Sequence, residues 1–431
     1  MKSMAIAVFL LLVPVQIFAE EAKILELTGP TMGTRYTVKV FAPGAMSITA
    51  ADAQIRVDGL LRRVNDQMST YLPNSEISRF NQSESLQWYE VSAGFAEVVA
   101  YAQEVAEKTD GALDITVEPL VNAWNFGPAP RTAEPPAETQ LEELKSRIGF
   151  EKLSVRLDPP ALKKSHPKLE IDLSSIAKGY AADEVVRMLA EHDAGNVFVE
   201  IGGEVRTAGN KAGQWWKVGI QLPDAASDTV MLAHALSTGG GDDQAMATSG
   251  DYRNFFEADG VRYSHTIDPA TGRPVTHSLA SVSVVAESCM AADAWATAMN
   301  VLGAERGKMI AEREKLNVLL VSRQADGFAI FGTGTLAGYA NTNKSNQAAT
   351  EEAGEEEDSS NTLAILGITF VAFAVVLFGM AVGVMFGRRS ISGSCGGLAN
   401  AKNQDGSVSC SLCSNPADAC KELRQRMQDS N

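Results

Sequence analysis

Three stretches of the chain carry residues whose types and spacing could do chemistry on a phosphate. Asp293 and Thr297 stand four apart in the run Cys289–Leu302, which on a helix stacks a carboxylate and a hydroxyl on one face. Two hard oxygens so placed suit Mg²⁺, an ion that takes one or two protein groups and fills its shell with water and substrate phosphates. The plainer alternative is a threonine bonded to the carbonyl four residues back. The segment Asp172–Gly179, DLSSIAKG, joins small residues, a helix start and a lysine, the makings of an anion site. Lys178 at that start sits against the helix dipole, a conflict that a bound anion removes; a solvent-facing lysine is the competing reading. His265, in SHTIDPATGRPV, falls at a turn-rich strand end, where a histidine acts as acid or base near neutral pH or simply satisfies the local structure.

The elements that must position these residues follow from hydrophobic period. MGTRYTVKVF alternates, with Tyr36, Val38 and Val40 on one face of a strand. Thr49–Asn65 and Ser92–Lys108 read as amphipathic helices, the second stopped by Asp110-Gly111. Gly127–Gln140 is a proline-rich surface loop. Ile171–Leu189 reads as strand, turn and helix, with Ser174-Ser175 as caps and Ala177, Ala181, Val185, Met188 and Leu189 as its apolar stripe. Val197–Arg206, with a tight turn at Gly202-Gly203, and Trp216–Gln221 read as strands, as do Arg253–Phe256 and Val282–Ala286. Val318–Ser322 and Gly327–Phe331 form a last hairpin after the helix Cys289–Leu302. Strands and helices mixed without regular βαβ alternation predict an α+β fold.

Composition narrows the function classes. A formal net charge of −16 excludes a nucleic-acid binder, which needs a basic face. An acidic protein that binds phosphate must supply a cation or a nest of backbone N–H groups. The opening MKSMAIAVFLLLVPVQIFAEEA reads as a signal peptide over residues 1–19, cut after Ala19. A body at 20–340 precedes a self-repelling acidic linker at 341–361. The span at 362–387 contains Leu363–Gly387, without charge or proline; at ~1.5 Å per residue it reaches ~37 Å, enough to cross a bilayer. Arg388 and Arg389 then place the tail, 388–431, in the cytoplasm and the body outside it. Of five cysteines only Cys289 precedes the span. Cys395, Cys410, Cys413 and Cys420 follow it, in a reducing compartment, where four thiolates suit Zn²⁺ or iron; free thiols or acylation of Cys395 are the alternatives.

Seven segments, taken together and in order, resemble the ApbE-type FAD:protein FMN transferases. They are MGTRY at 32–36, MSTY at 68–71, GALDITVEPL at 111–120, IDLSSIAKGYAADEV at 171–185, EIGGEVRTAG at 200–209, ATSGDYRNFFEADGVRYSHTIDPATGRP at 247–274 and AADAWATA at 291–298. The resemblance covers residues 25–335 and implies a T-fold-like α+β domain that splits FAD at its pyrophosphate, passes FMN to an acceptor threonine and releases AMP, with Mg²⁺. By matching position it implies FAD contacts at Met32, Ser69, Thr70, Tyr71, Asp114, Lys178, Thr266 and Ile267. It implies Mg²⁺ ligands at Asp293, Thr297 and the Ala177 carbonyl, with His265 as base and Lys178 as charge partner. Ser174-Ser175 departs from the glycine many members carry, and the lipid-attachment cysteine of many exported members is missing.

Residues 364–420, with MAVGVMFGRRSISGSCGGL and SCSLC, are similar to the NqrM-like maturation factors of the Na⁺-translocating NADH:quinone reductase, which are tied to iron delivery. That reductase carries FMN on threonines, so the resemblance implies its subunits as acceptors. An FAD pyrophosphatase and a non-enzymatic flavin- and metal-binding assembly factor are the competing readings.

Overall fold

In the computed structural model the described residues are 24–341, except 42–43, 45, 129–133, 224–229, 237–244, 251–254 and 259–260. The expected signal peptide, most of the acidic linker, the apolar span and the four tail cysteines lie outside them. Among the described residues no helix is long and apolar enough to cross a membrane.

One eight-stranded antiparallel sheet organises the domain. In chain order its strands are β1 (Ile24–Thr31), β2 (Thr34–Phe41), β3 (Val197–Ile201), β4 (Glu204–Ala208), β5 (Ala245–Gly250), β6 (Leu279–Ala286), β7 (Asn317–Gln324) and β8 (Gly327–Gly332). Each pairs with the next, although long insertions separate β2 from β3, β4 from β5, β5 from β6 and β6 from β7. Period-two alternation decides the faces: Tyr36, Val38 and Val40 of β2 point to one core. Central β6 is covered on both sides, so Val282 and Val284 join the helix-side core while Val285 joins a second core with Leu319 and Val321. This matches the expected α+β class.

Four helices build the larger core: α1 (Ala50–Met68), α2 (Ala93–Lys108), α3 (Ala177–Ala190) and α4 (Cys289–Arg313). Val57, Leu60, Leu61, Val64 and Met68 make the buried stripe of α1, whose N-cap Thr49 accepts the Asp52 N–H. Helix α4 runs past the expected end at Leu302 because it kinks rather than stops there: Gly303 has φ +73°.

Local chemistry redirected some expected boundaries. Ile171–Leu173 is not a strand and Ser174-Ser175 do not cap α3; these serines form a turn, and Ile176 is the N-cap. The cause is Asp172, whose Oδ1 accepts the Ser174 N–H at 2.5 Å and folds the chain back on itself. The strand read in MGTRYTVKVF begins only at Thr34, since Met32-Gly33 takes positive φ and closes a hairpin with β1. The end of the proline-rich loop is already helical from Glu138.

The starts of α3 and α4 meet at backbone distance. A Cβ on Gly179 would lie 2.2 Å from the Cys289 carbonyl oxygen and 2.8 Å from the Met290 nitrogen. Asp183, one turn along α3, accepts the Cys289 and Met290 N–H groups at 2.9 Å each, where a carboxylate complements the helix dipole. Gly179→Ala is expected to drive the helices apart and cost about 1–3 kcal/mol. Urea unfolding checks the loss, and an unchanged midpoint would refute the close contact.

Candidate active site

The two helix starts and the first residue of β4 bring three charged side chains together. Asp293 Oδ2 accepts the Gly179 N–H at 3.0 Å. The Lys178 ammonium lies 2.9 Å from Glu204 Oε1 and 3.9 Å from Asp293 Oδ1. Burial would lower the Lys178 pKa, but Asp293 and Glu204 outweigh it and hold the ammonium above its ordinary range. Burial raises Asp293, against the pull of Lys178 and the Gly179 N–H. Glu204 is pushed up to about 7 by burial, with Lys178 opposing. Its Oε2 is buried without a partner. Two carboxylates against one ammonium leave the cluster a charge short of neutral, and Thr297 adds a hydroxyl one turn along α4.

These groups border a cavity of about 390 Å³. Its other walls come from the end of β5, the segment His265–Ile267 and the loops carrying Tyr71 and Asp114. His265 faces the cavity, its ring edge-on to Phe126 with centroids 6.3 Å apart. The Tyr71 hydroxyl donates to the Phe126 carbonyl at 3.1 Å, fixing an otherwise exposed ring at the rim. Asp114 is raised by burial, while Oδ1 accepts both the N–H and the hydroxyl of Thr116. A second hollow of about 500 Å³ shares Ala112, Asp114, Pro269 and Val301 with the first.

The cavity thus gathers Tyr71, Asp114, Lys178, His265, Thr266, Ile267, Asp293 and Thr297. Four expected site residues are not in its lining. Met32 is committed to the β1–β2 turn at φ +48° and packs on the core. Ser69 closes α1 through its N–H to Asn65 and accepts Ser75 Oγ at 2.7 Å, and Thr70 follows it in the same turn. Ala177 is buried in the first turn of α3, its N–H donated to Leu173.

The ApbE family model matches residues 32–320. This chain belongs to the ApbE family. An FAD:protein FMN transferase of Vibrio cholerae is 44% identical over 326 residues, covering 75% of this chain and 94% of that protein. One of Haemophilus influenzae is 40% identical over 313 residues, covering 72% and 89%. Among solved structures, the flavin transferase ApbE of Vibrio cholerae superposes with a TM-score of 0.66 at 42% identity, over 73% of this chain and 98% of the other. The apo flavinyl transferase ApbE of Pseudomonas stutzeri gives 0.65 at 35%, over 72% and 95%. Residues 384–431 match the model described as (Na⁺)-NQR maturation NqrM, further toward the C-terminus than the resemblance at 364–420.

In this ApbE-family chain the donor set fits a small divalent ion. Asp293 and Thr297 offer hard oxygens beside an orphaned carboxylate oxygen of Glu204, and among the described residues no cluster of three His, Cys, Asp or Glu makes a softer site. Glu204 escaped sequence reasoning because its partners are remote in the chain; the signal was a carboxylate just after Gly202-Gly203, where backbones run close. A second missed pair is Glu118 and Asp172. Glu118 is pushed up to about 10 by burial and by Asp172 beside it, so it holds a proton facing that carboxylate.

Two predictions follow from these charges. Lys178→Met strands two buried carboxylates and is expected to cost about 3–5 kcal/mol without divalent ion; adding Glu204→Gln should restore part of it in urea unfolding. Glu118 binds its proton in the folded state up to about pH 10 but loses it near pH ~4.3 unfolded. Its contribution therefore falls as pH rises through that window, by at most ~1.4 kcal/mol per pH unit. Glu118→Gln should flatten that slope between pH 5 and 9, and an unchanged slope would assign the loss to other groups.

Proposed function

We propose that this protein moves FMN from FAD to a threonine hydroxyl of an acceptor flavoprotein, using Mg²⁺. The observation that carries the reading is the Lys178–Glu204–Asp293 cluster sharing one cavity with Thr297 and His265. The relatives' names supply FAD and FMN as substrate and transferred group. Asp293 and Thr297, with the Ala177 carbonyl behind them, would hold Mg²⁺. Bound there, the ion would neutralise phosphate oxygens, the main requirement of a phosphoryl transfer.

The chain's own residues do the rest. Lys178, beside Asp293 at the cavity wall, offers its ammonium to the pyrophosphate. His265 takes the proton of the attacking hydroxyl. The acceptor oxygen bonds to the FMN phosphorus as the bond to the bridging oxygen breaks, and AMP leaves carrying that oxygen.

The NqrM segment supports subunits of the Na⁺-translocating NADH:quinone reductase as acceptors, with the tail assisting metal delivery through iron or zinc on Cys395, Cys410, Cys413 and Cys420. On this reading residues 1–19 are a signal peptide, 20–340 the transferase domain and 341–361 a spacer. Residues 362–387 cross the bacterial inner membrane, with the transferase periplasmic and 388–431 cytoplasmic.

Incubating the full-length protein with FAD, Mg²⁺ and a reductase subunit should yield fluorescent FMN that survives denaturation of the acceptor. Asp293→Ala or a chelator should lower the rate at least 100-fold, as removal of a metal from a phosphoryl-transfer site does. FMN and AMP released without an adduct would make the protein a hydrolase instead. Reductase assembly undisturbed by Asp293→Ala would favour a scaffold.

A further inference from the structure

Asn300 lies one turn beyond Thr297 on α4 and is fully buried. No step of the proposed reaction uses it. Its side-chain nitrogen donates to Ser249 Oγ and to Thr266 Oγ1, each at 3.1 Å. Both hydroxyls belong to residues that line the cavity, Ser249 on β5 and Thr266 next to His265. The Asn300 side-chain oxygen is buried without a partner.

The backbone of Asn300 is held as firmly as its side chain. His277 Nε2 lies 2.8 Å from the Asn300 carbonyl oxygen, which can only accept, so this nitrogen carries the proton. The same ring fills the space beside Gly303, where a Cβ would come within 2.8 Å of it. At φ +73° that position suits glycine alone. The α4 kink thus fixes the height of Asn300, and Asn300 in turn ties α4 to two separate cavity walls.

A serine or threonine hydroxyl has one hydrogen to give and two lone pairs. When the amide nitrogen fills a lone pair on each hydroxyl, neither hydrogen is directed at Asn300. Both are free to be donated elsewhere, and the cavity lies beside both residues. We infer that Asn300 is a positioning residue that turns the Ser249 and Thr266 hydroxyls into a pair of donors for the acceptor-rich FAD, through its phosphate oxygens or flavin carbonyls. An orphaned amide oxygen is the cost of that arrangement, since burying an unpaired acceptor is unfavourable. The inference rests on the flavin-transferase reading for the identity of the ligand.

Asn300→Asp keeps the shape and reverses the donor direction. A carboxylate only accepts, so both hydroxyls swing their hydrogens inward and the cavity loses two donors. FAD affinity, measured by titration on the full-length protein with Mg²⁺ present, is expected to fall roughly 10- to 100-fold, the worth of one or two ordinary hydrogen bonds. In a Ser249→Ala/Thr266→Val background the same Asn300→Asp change is expected to cost less than threefold, because no hydroxyl remains to be turned. Thermal unfolding of each variant separates binding from folding; if Asn300→Asp fails to fold, Asn300→Gln, which keeps the donor, should retain tighter binding than Asn300→Leu, which does not. Unaltered affinity in Asn300→Asp overturns the inference, since it means the amide oxygen faces the hydroxyls. An equal loss in both backgrounds also overturns it, assigning the effect to charge. Failure of the wild-type protein to bind FAD would instead sink the function proposed above.

Discussion

Everything at the candidate site hangs on the contact between the first turns of α3 and α4. Gly179 has no side chain, so the two backbones approach closely enough for its N–H to reach Asp293. Asp183 closes the same junction one turn further on, by accepting the first two N–H groups of α4. The arrangement places two helix N-termini, each with partial positive charge, beside one buried carboxylate. It also fixes the direction in which Asp293 and Thr297 face the cavity. A helix pair held only by apolar side chains would tolerate a sliding of an ångström or more; this one is pinned by backbone donors at both ends of the contact.

Charge follows from that geometry. A protein with a net charge of −16 repels a pyrophosphate at long range, so binding must be carried by a local reversal. Lys178 supplies one positive charge but is shared between Glu204 and Asp293. The cluster by itself carries no surplus of positive charge, and this is the physical ground for the divalent ion in the proposed function. The protonated Glu118 beside Asp172 shows the same economy: an acid that cannot be paired with a cation stays neutral.

The sheet contributes by reach. β4 delivers Glu204, β5 delivers Ser249, and the insertion between β5 and β6 delivers His265 and Thr266. These residues lie between α3 and α4 in the sequence and meet the starts of both helices at the cavity. Asn300 is the cross-tie between them, and the kink at Gly303 holds it at the height where both hydroxyls are in range.

Periodicity and local chemistry in the sequence were enough for the helices, the alternating strands and the i, i+4 pair of Asp293 and Thr297, because those depend on neighbours within one element. They were also enough to mark Lys178 as misplaced without an anion. The segment motifs carried the family, and with it Tyr71, Asp114, Thr266 and Ile267. What they did not decide was how Lys178 divides itself between two acids, or that Glu204, Glu118 and Asn300 matter. Those depend on partners 26 residues or more away in the chain, as Lys178 and Glu204 are. Distances of that kind are set only when the sheet closes and the two helix starts are pressed together, so tertiary structure alone decides them.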